Sequence, residues 1–127
     1  MRKVLIVDDS PDALALAKAR LGKEGLELIC ADGGRAGLET ASREKPDLIL
    51  LDVMMPKMNG FDVCRKLRED PAFADIPILL LTARGQEIDR KMGLEAGASE
   101  YITKPFSPRQ LLQTVQEKLG LETAGGK

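Results

Sequence analysis

Histidine and tryptophan are missing from this 127-residue chain, aromatic residues make up only 3%, and there are just two cysteines. Without histidine, Ser-His-Asp and Cys-His catalysis, an HExxH zinc site and a phosphohistidine carried on this chain are all excluded. Cys30 and Cys64 are too far apart for a CxxC motif, and two thiols alone make a poor zinc set. Both cysteines are expected to be reduced packing residues, as in a cytoplasmic protein. Met1-Arg2-Lys3 is followed by only four apolar residues before Asp8, too short a run for a signal peptide or a transmembrane span. Neither sign of charge dominates, with 19 Lys+Arg against 20 Asp+Glu and a net charge of -1. The basic residues are scattered among acids, so nothing in the charge pattern points to nucleic acid or to a membrane surface. The densest basic stretch, Arg65-Lys66-Leu67-Arg68, runs straight into Glu69-Asp70 and reads as a solvated helix face.

What remains is the composition of a globular domain, 43% apolar and 31% charged, at a length that buries one core without disulfides or structural metal. Five short apolar runs have strand length: Val4 to Val7, Leu26 to Ala31, Asp47 to Leu51, Ile78 to Leu81, and Tyr101-Ile102. The first, third and fourth are apolar without alternation, as strands covered on both faces of a parallel sheet should be. Between them lie helical patterns. Ser10-Pro11 gives an N-cap and a proline at the first helical position, with Leu14, Ala17 and Leu21 on one face. Val63, Cys64 and Leu67 form a stripe after Gly60 that ends at Asp70-Pro71, and Ser107-Pro108 opens the clearest stripe, Leu111, Leu112, Val115 and Leu119. Segments 34 to 44 and 86 to 96 are weaker helices, and the thin apolar face of the second (Ile88, Met92, Ala96) suits a mobile element. Five alternations of strand and helix predict an α/β fold, with right-handed crossovers and helices on both faces of a parallel sheet. The small, polar residues 121–127 are expected to be a flexible tail or linker stub after a domain spanning residues 1–120.

In an open parallel sheet, ligands bind at the carboxyl ends of the strands. After the apolar runs come Asp8-Asp9, then Asp52, Thr82 and Thr103-Lys104-Pro105. Three carboxylates, a hydroxyl and an ammonium thus collect at one edge. Helix capping accounts for at most one of Asp8 and Asp9, because Ser10 already fits that role. Three ionised acids repel one another unless compensated, and a hard divalent cation such as Mg²⁺, held by carboxylates, a carbonyl and waters, supplies that compensation. Pro105 forces Lys104 out of helical geometry, and a cis Lys104-Pro105 bond is one way to aim its side chain.

This set, with Asp52 inside Leu50-Leu51-Asp52-Val53-Met54-Met55-Pro56-Lys57-Met58-Asn59-Gly60, then Thr82-Ala83 and Lys104-Pro105-Phe106, resembles the receiver domain of two-component response regulators, the family of the chemotaxis response regulator. The resemblance covers residues 2 to 119. It implies a flavodoxin-like, doubly wound sheet of strand order 2-1-3-4-5 flanked by five helices. It further implies that Asp52 accepts a phosphoryl group from a histidine kinase or histidine phosphotransfer protein, and that Asp8, Asp9, Asp52 and the Met54 carbonyl hold Mg²⁺. By the same resemblance Lys104 pairs with the phosphoryl group, and Thr82 and Tyr101 switch the surface of the fourth helix, fifth strand and fifth helix. Met54 and Arg84 are expected to flank the acyl phosphate and tune its lifetime. Such a protein is a signalling phosphoacceptor whose only chemistry is its own phosphotransfer and slow autodephosphorylation.

Two other readings carry less. A phosphatase of the aspartate-nucleophile class calls for DxD at the first strand, where this chain has Asp8-Asp9-Ser10, and no GxxxxGK[ST] loop supports a nucleotide site. A phosphorylation-independent binding module leaves the filled acid, hydroxyl and lysine positions unexplained. No output domain fits after residue 120, so a single-domain regulator or an excised receiver is expected. Arg90, Lys91 and Glu95 offer complementary charges for a homodimer through the switching face.

Overall fold

The computed structural model describes residues 2–22, 25–53, 55, 57–83, 91, 94–104 and 107–120. Five strands, β1 (Lys3–Val7), β2 (Glu27–Ala31), β3 (Leu48–Asp52), β4 (Ile78–Ala83) and β5 (Glu100–Lys104), form one sheet in the order β2-β1-β3-β4-β5. Every pairing is parallel. Around them lie α1 (Pro11–Gly22), α2 (Gly34–Glu44), α3 (Gly60–Glu69), a 3-10 turn (Pro71–Phe73) and a C-terminal helix (Pro108–Lys118). This is the expected doubly wound architecture. Of the expected helix over 86–96, residues 91 and 94–96 are helical, and the rest lies outside the described residues, as does the tail 121–127.

Successive side chains of a strand point to opposite faces, and that alternation divides the core in two. Leu5, Val7, Ile49 and Leu51 meet Val63, Cys64 and Leu67 of α3 on one face. Val4, Ile6, Leu48 and Leu50 meet Ala17 and Leu21 of α1 and Leu111, Leu112 and Val115 of the C-terminal helix on the other. Burial on both faces explains why these strands read as unbroken apolar runs. Each buried aliphatic side chain contributes roughly 1.5–3 kcal/mol relative to leaving it in water.

Helix starts follow their sequence signals. Ser10 Oγ accepts from the Ala13 N–H at 3.3 Å and Ser107 Oγ from the Gln110 N–H at 3.0 Å. At the end of α2, Lys45 takes a left-handed conformation and its N–H closes onto the Ala41 carbonyl.

Three expectations are corrected. β4 continues through Thr82 and Ala83 and β5 through Lys104, so these residues lie within strands rather than after them; Thr82 pairs with Thr103 and Ala83 with Lys104. Threonine's β preference and a willing partner strand lengthen both. Cys30 is exposed, because β2 is an edge strand covered less completely than the centre of the sheet. Finally, Arg68 does not belong to a solvated face. Arg65 and Lys66 are exposed, but the Arg68 guanidinium folds over the 3-10 turn. Its Nη1 donates to the carbonyls of Phe73 (2.7 Å), Ala74 (3.2 Å) and Ile76 (2.8 Å), while Nε donates to the Gly97 carbonyl (2.8 Å) and Nη2 to Ser99 Oγ (3.3 Å).

Candidate functional site

Strand register builds the site. Val7 of β1 stands beside Leu51 of β3, so the next residues, Asp8 and Asp52, stand at the same level at the carboxyl ends of adjacent strands; Asp52, expected after its strand, is the last residue of β3 and pairs with Leu81. They share the parity of Ile6 and Leu50, so both fall on the same face of the sheet. Asp9 follows on the connection to α1. One carboxylate oxygen from each of Asp8, Asp9 and Asp52 lies within 4.8 Å of the others. Asp8 is 0% exposed and Asp52 5%, whereas Asp9 faces solvent.

Local hydrogen bonds hold this arrangement. The Asp8 N–H donates to the Ala31 carbonyl at 3.1 Å, carrying the pairing of β1 with β2 past the strand end. Asp8 Oδ1 accepts from the Ser10 N–H at 2.9 Å, fixing the turn into α1. The Val53 N–H donates to the Leu81 carbonyl at 3.0 Å, and the Gly60 N–H donates back to the Val53 carbonyl at 3.1 Å, closing the loop that follows Asp52. Gly60 permits that closure because a Cβ there would stand 2.5 Å from the Asp52 carbonyl oxygen. Asn59 caps α3, its side chain accepting from the Asp62 N–H at 3.0 Å. Lys57, in the same loop, adopts a left-handed conformation with φ 71°.

The chemistry of this donor set suits a hard cation. Around an octahedral Mg²⁺ with ligands at about 2.1 Å, oxygens stand ~3–4 Å apart, so this trio needs only a small closure of its side chains to bind one. Carboxylate oxygens without nitrogen or sulfur ligands also favour Mg²⁺ over softer metals.

Thr82 and Lys104 are placed by their backbone. Leu81 pairs with Asp52, which sets Thr82 one step further toward the carboxyl edge, and Lys104 ends β5 at that edge. Tyr101 pairs with Leu80 and is half-buried against the core on the α3 side of the sheet. Met54 and Arg84 lie outside the described residues, as does Arg90; Lys91 and Glu95 are exposed. Cys64 is a packing residue. Its thiol donates to the Ala96 carbonyl at 3.4 Å, and burial pushes its pKa up against the opposing pull of Arg68 and Arg65.

The cap formed by Asn59 was not among the sequence expectations, although Asn-Gly before an apolar stripe is such a signal. Nor was the second task of Asp8, whose carboxylate both fixes the turn and joins the acid trio.

Comparison with known proteins follows the same line. The sequence model of the response regulator receiver domain matches residues 4–116. The chain is 46% identical over 110 residues to the alkaline phosphatase synthesis transcriptional regulatory protein PhoP of Bacillus subtilis; the match takes in 87% of this chain and 45% of that protein, so the chain spans about half the relative's length. Chemotaxis protein CheY4 of Vibrio cholerae superposes with a TM-score of 0.88 at 36% identity, covering 93% of this chain and 98% of that one. The receiver domain of sensor histidine kinase PA1611 from Pseudomonas aeruginosa superposes with a TM-score of 0.86 at 29% identity, covering 94% and 98%; that structure has a magnesium ion coordinated in its active site cleft.

Proposed function

The chain belongs to the response regulator receiver domain family of two-component signalling, and on that premise we propose that Asp52 is its phosphoacceptor, serving a partner histidine kinase or histidine phosphotransfer protein. The observation that carries this reading is the convergence of Asp8, Asp9 and Asp52 within 4.8 Å at the carboxyl edge of the sheet, two of them buried.

In the proposed reaction a carboxylate oxygen of Asp52 attacks the phosphorus of the donor's phosphohistidine. The O–P bond forms as the P–N bond breaks, and the imidazole leaves with the electron pair and takes up a proton. Burial of Asp52 keeps the acyl phosphate from bulk water. Asp8, Asp9, Asp52 and the Met54 carbonyl would hold Mg²⁺, which when bound neutralises charge on the phosphoryl oxygens. Lys104 pairs with a further phosphoryl oxygen, and the Thr82 hydroxyl donates to the phosphoryl group once it is present. The hydroxyl's movement and an inward turn of Tyr101 alter the surface around β5, through which a homodimer is proposed. Met54 and Arg84 restrict the approach of water and lengthen the life of the acyl phosphate. Residues 1–120 form the receiver and 121–127 a tail or linker stub. The chain's chemistry is then its own phosphotransfer and slow autodephosphorylation, in the cytoplasm. Incubation with acetyl phosphate tests this: labelling requires Mg²⁺ and is lost on chelation. Labelling that persists undiminished without divalent metal counts against it.

A further inference from the structure

Helix α2 packs, on the opposite face of the sheet, against residues next in sequence to the acid trio rather than against the acids themselves. At Gly37 a Cβ would stand 2.8 Å from Cγ2 of Val7, the residue immediately before Asp8. One turn earlier, at Gly34, a Cβ would stand 2.9 Å from Cβ of Met58 and 3.0 Å from Cγ2 of Val63. Met58 belongs to the loop that follows Asp52. One helix, through two buried glycines, therefore spaces the strand leading into Asp8 from the loop leaving Asp52.

We propose that Gly34 is a positioning residue for this site, setting by its missing Cβ how closely Met58, with its neighbours Lys57 and Asn59, packs against α2 and hence the geometry of the carboxylates and of the metal they would hold. The proposal rests on the reading of Asp52 as the phosphoacceptor. Its physical basis is the kind of atom that Gly34 meets. A flexible side-chain tip could swing away, but Met58 Cβ is bonded to the backbone, so only movement of the loop or of the helix relieves the contact. The helix is seated on β1 through Gly37, and its buried face also includes Thr40 and Ala41. The loop is the weaker element: it already holds Lys57 at a positive φ. A methyl group at residue 34 therefore displaces the loop.

The test is a double-mutant cycle of Gly34→Ala and Met58→Gly with Gly33→Ala as control, since a Cβ at Gly33 meets nothing within 4 Å. Titration calorimetry with Mg²⁺ alone, labelling by acetyl phosphate, and backbone amide shifts of Val53, Lys57, Asn59 and Gly60 are measured. Gly34→Ala is expected to weaken Mg²⁺ binding roughly tenfold, the low end of what disturbed outer supports cost, and to move those amide shifts. In the Met58→Gly background, where only the 3.0 Å approach to Val63 Cγ2 remains, the same alanine costs clearly less, and Gly33→Ala behaves as wild type. A Gly34→Ala protein that binds Mg²⁺ as wild type with unmoved shifts overturns the proposal, and so does an equal loss in both backgrounds. Should Gly34→Ala alone not fold, a folded double variant that binds like Met58→Gly supports the contact and an unfolded one refutes it. Wild-type protein that takes up no phosphoryl group removes the functional reading instead, while the amide shifts still decide whether Gly34 positions the loop.

Discussion

Arg68 Nε donates to the carbonyl of Gly97 at 2.8 Å, joining α3 to the chain just before β5 across 29 residues of sequence. The same guanidinium satisfies carbonyls of Phe73 and Ile76. Loss of Arg68 leaves several partly buried acceptors without a donor. Arg68→Ala is expected to lower stability by about 2–3 kcal/mol in urea titration. Arg68→Lys recovers little of this, because a point charge on a flexible stem cannot reproduce the planar fork; full recovery by lysine contradicts the account.

Cys64 and Cys30 should differ sharply in thiol chemistry. A thiol reagent at neutral pH is expected to label exposed Cys30 promptly and buried Cys64 only on unfolding. Because burial raises the Cys64 pKa in the folded state, the folded chain holds that proton more tightly than the unfolded one. Its stabilising contribution is therefore complete below the unfolded value of about 8.5 and is lost as the pH rises above it toward the raised folded value. Cys64→Ala removes this part of the alkaline decline in urea stability, and an unchanged pH slope speaks against it.

Glycine positions separate by what a methyl group would meet. At Gly60 the nearest atoms are the Asp52 carbonyl oxygen at 2.5 Å and Val53 Cα at 3.0 Å, backbone that cannot rotate aside. Gly60→Ala is expected to cost about 1–3 kcal/mol and to slow phosphoryl uptake. Gly22, the last residue of α1, has nothing within 4 Å, and Gly22→Ala should stabilise by about 0.5–1 kcal/mol. Thermal unfolding of the two variants measures both, and equal shifts of the same sign contradict the steric argument.

Asp8→Asn separates the two tasks of that side chain. Asparagine keeps an Oδ1 to accept from Ser10, so the turn into α1 survives, but one charge of the acid trio is gone. Metal-free protein is expected to fold, since the hydrogen bond from the Ser10 N–H is kept. Mg²⁺, which raises the melting temperature of wild type by binding the folded state, should no longer do so. A melting temperature that still climbs with Mg²⁺ in Asp8→Asn argues against this residue as a ligand.

Most of the fold was legible because β1, β3 and β4 are buried on both faces and so appear as unbroken apolar runs, and because Ser10-Pro11 and Ser107-Pro108 mark helix starts by local chemistry. The acid trio was legible as well, since each member follows or ends such a run. Other features depend on partners distant in sequence. Nothing near Arg68 announces that its guanidinium will meet Gly97 and Ser99, and although the less uniform run Leu26 to Ala31 suits an edge strand, as found, nothing near Cys30 shows that this residue faces outward. Gly34 looks like an ordinary small residue until Met58 is packed against it.

The central claim is tested most directly by phosphotransfer from a labelled phosphohistidine donor, in Mg²⁺, to the wild-type chain and to Asp52→Asn. Base-labile label on wild type, and none on a folded Asp52→Asn protein, is the predicted result. Label retained by Asp52→Asn, or absent from wild type with both a protein donor and acetyl phosphate, contradicts the account.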